Sequence, residues 1–408
     1  MRLRHVAHIN PPKPFSPHLT SDTEVSFAPM DALSQGVGGL DTSITRRLGE
    51  VSSGSYNYFA DGDLLLSKVT PCFENGKKAI ADGLTNGIGF ATSEVYVIRP
   101  RSEAIDRRYL IYVFSSETFR AEGIASMTGA SGLRRVSENA ILNYRIPVTD
   151  LPTQKRIADS LDRETGRIDE LIENKQRLVE LLKPKWEALF HKNRPHADLV
   201  RFGYVAEKNE RPIMRDDEEL YVPLGLLNRG RGLFHKDQTP GSELGQSVFS
   251  WVKEGDLIFS VQFAWEGAVA LAGPNENGTI VSHRYHLYRG KRGVRTPYLY
   301  AYFRTEPGQF ILSESSRGAA GRNRPLSANM LEKEKVPILS TRIQDYIGKL
   351  VYLESILKSK MAQSVGRLRE FRSTLITAAV TGQIDVEAWA KRGDTDRRLD
   401  AIEERMHA

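Results

Sequence analysis

The sequence has a single cysteine and no long apolar run. Cys72 is the only cysteine among 408 residues, so an internal disulfide is excluded and a reducing cytoplasm is the compartment that fits. No run of about 18 apolar residues is present, which excludes a transmembrane helix. The polar residues that follow Met1-Arg2-Leu3-Arg4 predict no secretory signal. We therefore expect a cytoplasmic protein without a membrane partner.

Motifs for catalysis and cofactor binding are also missing. The sequence has no phosphate loop of the type Gly-x4-Gly-Lys-Ser/Thr and no glycine-rich loop in the setting of a dinucleotide site. Its closely spaced histidines lack the glutamate and the helical context of a zinc protease. Asn10-Pro11-Pro12 is similar to the amine-binding motif of adenine methyltransferases, but Lys13 follows where an aromatic residue is expected. The sequence predicts no catalytic, cofactor-binding or metal-binding residue.

Basic residues are unevenly distributed along the chain. The net charge is +6, and the first 150 residues are balanced, with 16 basic and 16 acidic side chains. Residues 284–324 hold nine basic side chains against two acidic ones, interleaved with aromatic residues. Clustered Lys and Arg neutralise phosphates and release counterions. This stretch predicts contact with nucleic acid, and a solvated basic face is the alternative.

The chain repeats itself once, and the second copy begins near the middle of the sequence. Gly62-Asp63-Leu64 matches Gly255-Asp256-Leu257. This period is too long for a solenoid, whose repeats are about 20–50 residues. Short strands between turns, with appended helices, are typical of the α+β class. We predict two similar α+β domains, at residues 1–150 and 195–337.

A long amphipathic helix is predicted after each copy, within residues 151–194 and 338–385. Apolar residues recur at alternating steps of three and four, a pattern typical of helices packed knobs-into-holes. The heptads do not distinguish a parallel from an antiparallel pair, but two copies related by a pseudo-twofold axis would place their helices antiparallel. A charged tail follows at 386–408, of which residues 390–408 are expected to be frayed or disordered. The predicted seam consists of Ile157, Leu161, Ile168, Leu171, Leu178, Leu182, Ile343, Ile347, Leu350, Leu357, Met361 and Leu368.

The two helices are predicted to align without a gap. Arg156-Ile157-x-Asp159 is matched with Arg342-Ile343-x-Asp345, whereas Leu339-Ser340-Thr341 lacks the Leu-Pro-x-x-Gln stretch of the first copy. Pro184 is predicted to kink or divide the first helix. Gly382 is the predicted stop of the second.

Three runs in and beside these helices carry a family resemblance. Leu151-Pro152-Thr153-Gln154 lies in the first run (146–158), residues 161–175 form the second, and Leu375-Ile376-Thr377-Ala378 opens the third (375–386). They resemble the central and C-terminal regions of the DNA specificity subunits of type I restriction–modification systems. The resemblance implies a non-catalytic subunit in which each domain reads one half of a split site in double-stranded DNA.

The resemblance also implies partners. The helices would set the gap between half-sites and dock two methyltransferase subunits, which bind S-adenosylmethionine and methylate adenine. A restriction subunit that uses ATP and magnesium would join for cleavage. Two other classes remain open: a nucleic-acid methyltransferase, and a coiled-coil scaffold that joins two protein-binding domains.

Two loops of small and basic residues, 128–135 and 317–324, occupy matching places in the copies. Small residues let the backbone approach a duplex, and Arg can donate two hydrogen bonds to guanine or bind phosphate. Phosphate positioning is favoured over base reading for any single Arg, and a purely structural loop is the alternative. A predicted hairpin tip adds two lysines. The candidate DNA-binding residues are Lys77, Lys78, Arg134, Arg135, Arg284, Arg292, Arg317, Arg322, Asn323 and Arg324.

Overall fold

The chain folds into two units. The computed structural model describes residues 1–13, 18–35, 39–52, 54–130, 132–147, 149–181, 183–228, 230–316 and 324–407. Unit 1 comprises Met1–Asn174 and Ala362–Ala408, and unit 2 comprises Lys175–Met361. No helix in these described ranges is long and apolar enough to cross a membrane.

Helices and strands alternate irregularly along the chain. The helices are α1 (Leu48–Val51), α2 (Arg107–Val113), α3 (Glu117–Ala125), α4 (Glu138–Asn143), α5 (Leu151–Glu180), α6 (Lys183–Asn193), α7 (Phe202–Val205), α8 (Thr296–Phe303), α9 (Glu306–Glu314), α10 (Ala328–Leu331), α11 (Thr341–Val380), α12 (Val386–Lys391) and α13 (Asp394–His407). The strands of unit 1 are β1 (Ala7–Ile9), β2 (Glu24–Ala28), β3 (Thr45–Arg47), β4 (Asn57–Ala60), β5 (Leu64–Ser67), β6 (Lys78–Ile80), β7 (Ile88–Ala91), β8 (Val95–Pro100), β9 (Thr128–Ala130) and β10 (Leu133–Arg135). Those of unit 2 are β11 (Asp198–Arg201), β12 (Ala206–Lys208), β13 (Leu220–Tyr221), β14 (Leu224–Leu227), β15 (Gly232–His235), β16 (Thr239–Pro240), β17 (Phe249–Trp251), β18 (Leu257–Ser260), β19 (Val269–Leu271), β20 (Ile280–Ser282), β21 (Tyr285–Gly290) and β22 (Lys335–Ile338).

Unit 1 is built on a sheet with the strand order β1-β8-β5-β6. Side chains alternate between the faces of a strand, so Leu64 and Leu66 enter the core shared with the helices, whereas Leu65 enters a second core. Because β5 is buried on both faces, its sequence is a continuous apolar run. A second sheet, β3-β2-β7-β4, contributes Ala28 and Phe59 to the second core.

Unit 2 repeats the central sheet of unit 1 and its position between two cores. Its central sheet has the order β12-β21-β18-β19, with β18 in the place of β5. Leu257 and Phe259 enter the core shared with the helices, and Ile258 enters the other. The predicted α+β class is therefore confirmed, with two sheet-rich halves. The predicted domain boundaries remain a prediction.

In unit 1, α5 and the last part of α11 pack in opposite directions. The Tyr109 hydroxyl lies 2.6 Å from Pro147 O and 3.2 Å from Val380 O, so the residues before α5 lie beside the end of α11. Farther along α5, and earlier in α11, Arg372 Nε lies 2.8 Å from Asp169 Oδ1. This order along the two helices is antiparallel.

The predicted seam is divided between the cores of the two units. Ile157, Leu161, Ile168, Leu171 and Leu368 lie in or against the core of unit 1, and Ile343, Ile347 and Leu350 in or against that of unit 2. Leu357 and Met361 are partly exposed. Placing Leu178 in the seam was wrong: it is 49% exposed, because α5 ends at Glu180 and its apolar stripe is not continued. Leu182 lies outside the described residues.

The chain divides near Pro184, as the sequence predicts. α6 begins at Lys183, which makes Pro184 its second residue. Proline is tolerated there because the first N–H groups of a helix have no intrahelical acceptor.

The prediction of a frayed C-terminal tail is wrong. α12 and α13 are helical, with Val386 and Ile402 buried in the core of unit 1 and Trp389 and Leu399 packed against it. These apolar residues occur in pairs spaced by three, which places each pair on one helix face. The high charge of the segment obscured this pattern.

A glutamine fastens the start of α5 to the rest of unit 1. Gln154 is fully buried. Its Oε1 accepts a hydrogen bond from Asp106 N at 2.8 Å, and its Nε2 donates to Thr149 O at 2.8 Å. Both backbone groups precede a helix, so one side chain fixes the entry of α2 and of α5.

Gln344 makes the same bonds in unit 2. Its Oε1 accepts from Arg295 N at 3.0 Å, and its Nε2 donates to Leu339 O at 2.7 Å. The ungapped alignment of the helices was therefore wrong, because it pairs Gln154 with Ser340, about one helical turn before Gln344. A match of three residues is too short to fix the register of two helices, whereas the equivalent bonds of the buried glutamines do so.

Candidate nucleic-acid interface

In unit 1, the predicted loop 128–135 is a hairpin attached to the end of β5. Its strands β9 and β10 pair with each other. Val136 N donates to Lys68 O at 2.8 Å, and Thr70 N donates to Arg134 O at 2.9 Å. Gly129 has a φ of 142°, and a Cβ there would lie 2.4 Å from Leu133 O, so this position requires glycine.

Two arginines of this hairpin face carboxylates. Arg134 donates to Glu74 Oε1 at 3.2 Å. Arg135 donates twice to Glu94, at 2.9 and 2.7 Å. The hydrogen bonds from Arg135 lower the pKa of Glu94. Both arginine side chains are nearly half exposed, so they can still reach a ligand, but part of their charge is compensated.

The two predicted lysines of unit 1 occupy different environments. Lys77 Nζ lies 2.9 Å from Asp31 Oδ1 and donates to Met30 O at 3.1 Å. Lys78 is only 3% exposed, so its assignment as a phosphate contact was wrong. It pairs with Leu66 across the sheet, and its side chain therefore follows Leu66 into the core. Burial lowers the pKa of Lys78 to about 7, and Arg372 and Arg120 contribute by repulsion.

In unit 2, the residues that follow the predicted loop 317–324 are attached to the end of β18. Val261 N donates to Arg284 O at 2.8 Å, and Leu326 N donates to Val261 O at 2.7 Å. The exposed Arg324 stacks over the ring of Trp265 at 5.6 Å. The other predicted residues of the loop 317–324, namely Arg317, Arg322 and Asn323, lie outside the described residues.

The basic stretch 284–324 does not form one cluster. Arg284 precedes β21 and Arg292 follows it, so six residues of strand, roughly 20 Å, separate them. Arg292 stacks over Tyr204 at 5.6 Å. Arg292 and Arg284 therefore do not form one local cluster, because an extended strand carries its two ends apart, and a role of Arg292 in DNA binding stays a prediction.

Three further arginines of that stretch are engaged by carboxylates within unit 2. Arg289 lies 2.6 Å from Asp256, Arg295 lies 2.8 Å from Asp345, and Arg304 lies 2.9 Å from Glu354. These ion pairs stabilise the sheet and the helix contacts. The local count of basic residues thus overstated the charge that is open to a polyanion.

A groove of about 390 Å³ opens beside the loop after β18. Asn228, Lys236, Gln262 and Arg284 line it, together with Phe263, which is 38% exposed. Asn228 donates through Nδ2 to Glu266. The groove thus combines amide, cationic and aromatic groups.

Strand pairing identifies the residues of unit 1 that are equivalent to the groove residues of unit 2. Ser67 pairs with Val95 across the sheet as Ser260 pairs with Tyr285. The residues before those partners are Glu94 in unit 1 and Arg284 in unit 2. The two copies therefore place opposite charges at one position.

Sequence reasoning did not find Lys236, Gln262 and Phe263. They are isolated polar and aromatic residues without a local motif. The internal repeat is the signal that could have indicated Gln262. This residue lies two positions after Ser260, which ends β18. Within the part of the chain that the structure describes, no group of three or more His, Cys, Asp or Glu side chains could hold a metal ion.

Comparisons with known proteins agree with this architecture. The family model of the type I restriction modification DNA specificity domain matches residues 1–181. The specificity subunit of the type I restriction enzyme EcoAI from Escherichia coli is 37% identical over 187 residues, which cover 44% of this chain and 31% of that protein. The EcoEI specificity subunit from Escherichia coli is 36% identical over 188 residues, with the same two coverages. The chain thus spans about a third of the length of these curated relatives.

A solved structure shares the fold across nearly the whole chain. It is described as "Structural basis underlying complex assembly and conformational transition of the type I R-M system", and it has a TM-score of 0.61 at 15% identity, covering 93% of this chain and 96% of the other. The family model over the first 181 residues and these relatives make that part of the chain similar to the DNA specificity domains of type I restriction–modification systems.

Proposed function

We propose that this chain is the non-catalytic specificity subunit of a type I restriction–modification enzyme, and that each unit reads one half of a bipartite DNA site. The observation that carries the proposal is the repetition of one architecture. The segment that matches the DNA specificity domain lies mostly in unit 1, and unit 2 repeats the strand order and the buried glutamine of unit 1. Two similar readers suit a ligand with two separate sites.

The edges of the two units supply the proposed contacts. In unit 1 these are the hairpin arginines Arg134 and Arg135, and in unit 2 they are Arg284 and Arg324. Arginine forms bidentate bonds to phosphate or guanine, so it can serve for positioning and for reading. A role on duplex DNA is consistent with the cytoplasmic location that the sequence predicts.

The long helices would measure the gap and dock the catalytic partners. α11 has 40 residues, which at about 1.5 Å each is close to 60 Å, or more than one turn of a DNA duplex. We assign to α5 and α11 the docking of two methyltransferase subunits, which would bind S-adenosylmethionine and methylate adenine. A restriction subunit with ATP and magnesium would supply cleavage.

Duplex binding by the full chain tests the proposal directly. Filter binding at several salt concentrations should give an affinity that falls steeply as salt rises, because phosphate contacts release counterions. Footprinting on a selected duplex should show two protected blocks separated by an open gap. A chain without affinity for DNA, or with a single protected block, would overturn it.

The host genome offers a second test. Comparing adenine methylation in cells with and without this chain should show that one split motif loses its modification. If every methylated adenine motif persists without the chain, it does not direct a methyltransferase.

A further inference from the structure

Two polar side chains of unit 2 are held in place but have no partner among the described residues. Gln262 and Arg284 both line the groove of about 390 Å³. Within the described ranges, neither side chain makes a hydrogen bond or an ion pair. Their backbones are nevertheless fixed: Trp265 Nε1 donates to Gln262 O at 3.0 Å, and Val261 N donates to Arg284 O at 2.8 Å. The amide of Gln262 and the guanidinium of Arg284 can therefore bind a ligand, and their backbones are held in position.

The groove chemistry matches the edges of base pairs. A glutamine amide can bond simultaneously to N6 and N7 of adenine, and an arginine can bond to O6 and N7 of guanine. Phe263 adds an exposed apolar ring that can contact the methyl group of thymine. Of the charged residues that line the groove in the described chain, Lys236 and Arg284 are basic and Glu243 is acidic. The positive excess favours a polyanion.

Unit 1 does not offer the same pair of groups. Val69 stands where unit 2 has Gln262, and it is 8% exposed. Glu94 stands where unit 2 has Arg284, and Arg135 occupies both of its oxygens. The corresponding surface of unit 1 is thus closed by its own ion pair. The two units must recognise their half-sites through different side chains.

We propose that Gln262 and Arg284 are specificity-determining residues of unit 2, which read an A·T pair and a G·C pair in the major groove of one half-site. This assignment rests on the proposed function as a duplex reader. Lys236 then contacts a neighbouring phosphate, and Phe263 packs against the base step between the two pairs.

Selection from a random duplex library tests the assignment. The full chain should enrich a motif of two blocks. Gln262→Ala should relax one A·T position of a single block and weaken binding to the selected duplex roughly 5- to 150-fold, the effect of losing one bidentate pair. Arg284→Lys should relax one G·C position of the same block while keeping the salt dependence of binding. Lysine keeps the positive charge but lacks the planar guanidinium that donates two hydrogen bonds to one base. The other block should not change.

A matched control separates base reading from a general loss of charge or of folding. Lys253→Ala removes an exposed cation before the start of β18, whereas Gln262 follows the end of that strand, and it should leave the selected motif intact. If the wild-type chain enriches no motif, the proposed function itself fails. If it enriches a two-block motif that Gln262→Ala and Arg284→Lys both leave unaltered, the function stands and these residues are not its readers. Unchanged affinity for unrelated duplexes in all variants would show that they remain folded.

Discussion

The contact between Arg304 and Glu354 shows how strongly one buried pair can hold a helix. Arg304 donates two hydrogen bonds of 2.9 Å to Glu354 and stacks over Trp186 and Tyr300 at 5.1 and 5.2 Å. Lys358 lies 2.7 Å from the same carboxylate. Burial disfavours the Glu354 anion, but these hydrogen bonds and charges outweigh it and lower the pKa of Glu354 to about 2. Removing Arg304 therefore leaves a buried carboxylate that keeps only Lys358 and the Trp186 Nε1 donor as partners.

Arg304→Met should destabilise unit 2 by about 3–5 kcal/mol, because Glu354 stays buried without its bidentate partner. The double variant with Glu354→Leu should recover part of this loss. Urea unfolding followed by tryptophan fluorescence measures both, since Trp186 lies at the pair. Arg231→Ala, at an exposed position, should change stability by less than about 0.5 kcal/mol. A single variant as stable as the wild type would contradict the role of the pair.

Lys78→Met should stabilise unit 1 at neutral and acidic pH. The folded pKa of Lys78 is about 7 and its ordinary value is 10.5, so between these values the unfolded state binds more protons and stability rises with pH. The methionine variant keeps the buried apolar stem and should lack this rise of about 1.4 kcal/mol per pH unit. Denaturant unfolding of both proteins at pH 6 and pH 10 measures it. An equal difference at both pH values would show that Lys78 does not titrate in this range.

At the scale of single elements, β5 could be predicted because it is buried on both faces. The elements and residues that could not be predicted are those whose burial depends on contacts distant in sequence. Leu64-Leu65-Leu66 reads as a strand because every residue is apolar. Lys78 reads as a surface residue, since no local signal reveals the partner strand that turns it inward. The C-terminal helices are buried by packing against residues that are distant in sequence. The amino-acid composition of the segment does not indicate such contacts.

The buried glutamines give a matched prediction for the helix starts. Gln154→Ala should destabilise unit 1 and Gln344→Ala unit 2, each by about 1–3 kcal/mol, because two buried backbone groups lose their partner. Hydrogen exchange of the amides of Asp106 and Arg295 reports each site separately. Lys155→Ala, exposed beside Gln154, is the control. If exchange at Asp106 is unaffected in Gln154→Ala, the glutamine does not fasten the helix.

At the scale of the whole molecule, the two units share the central sheet and the buried glutamine, but they differ in the charged side chains beside that sheet. The order of the central sheet and the glutamine bonds are the same in both units. Ser67 in unit 1 and Ser260 in unit 2 end equivalent strands, and each pairs with a residue of the neighbouring strand. The residue before that pairing partner is Glu94 in unit 1 and Arg284 in unit 2. A reader of two unlike half-sites requires this combination, since the scaffold must repeat while the recognition chemistry differs.

Arg135 gives a prediction in which the two units act independently. Arg135→Ala removes a cation and also uncovers the Glu94 carboxylate, so duplex binding should weaken and only the block read by unit 1 should lose protection. Adding Glu94→Gln should restore part of the affinity, because the amide no longer repels phosphate. Combining Arg135→Ala with Arg284→Ala should impair both blocks, with effects on binding free energy that add, since the changes lie in separate units. Footprinting and filter binding of these three variants and of Arg284→Ala alone measure this. Loss of both blocks from Arg135→Ala alone would mean that the units do not read their half-sites separately.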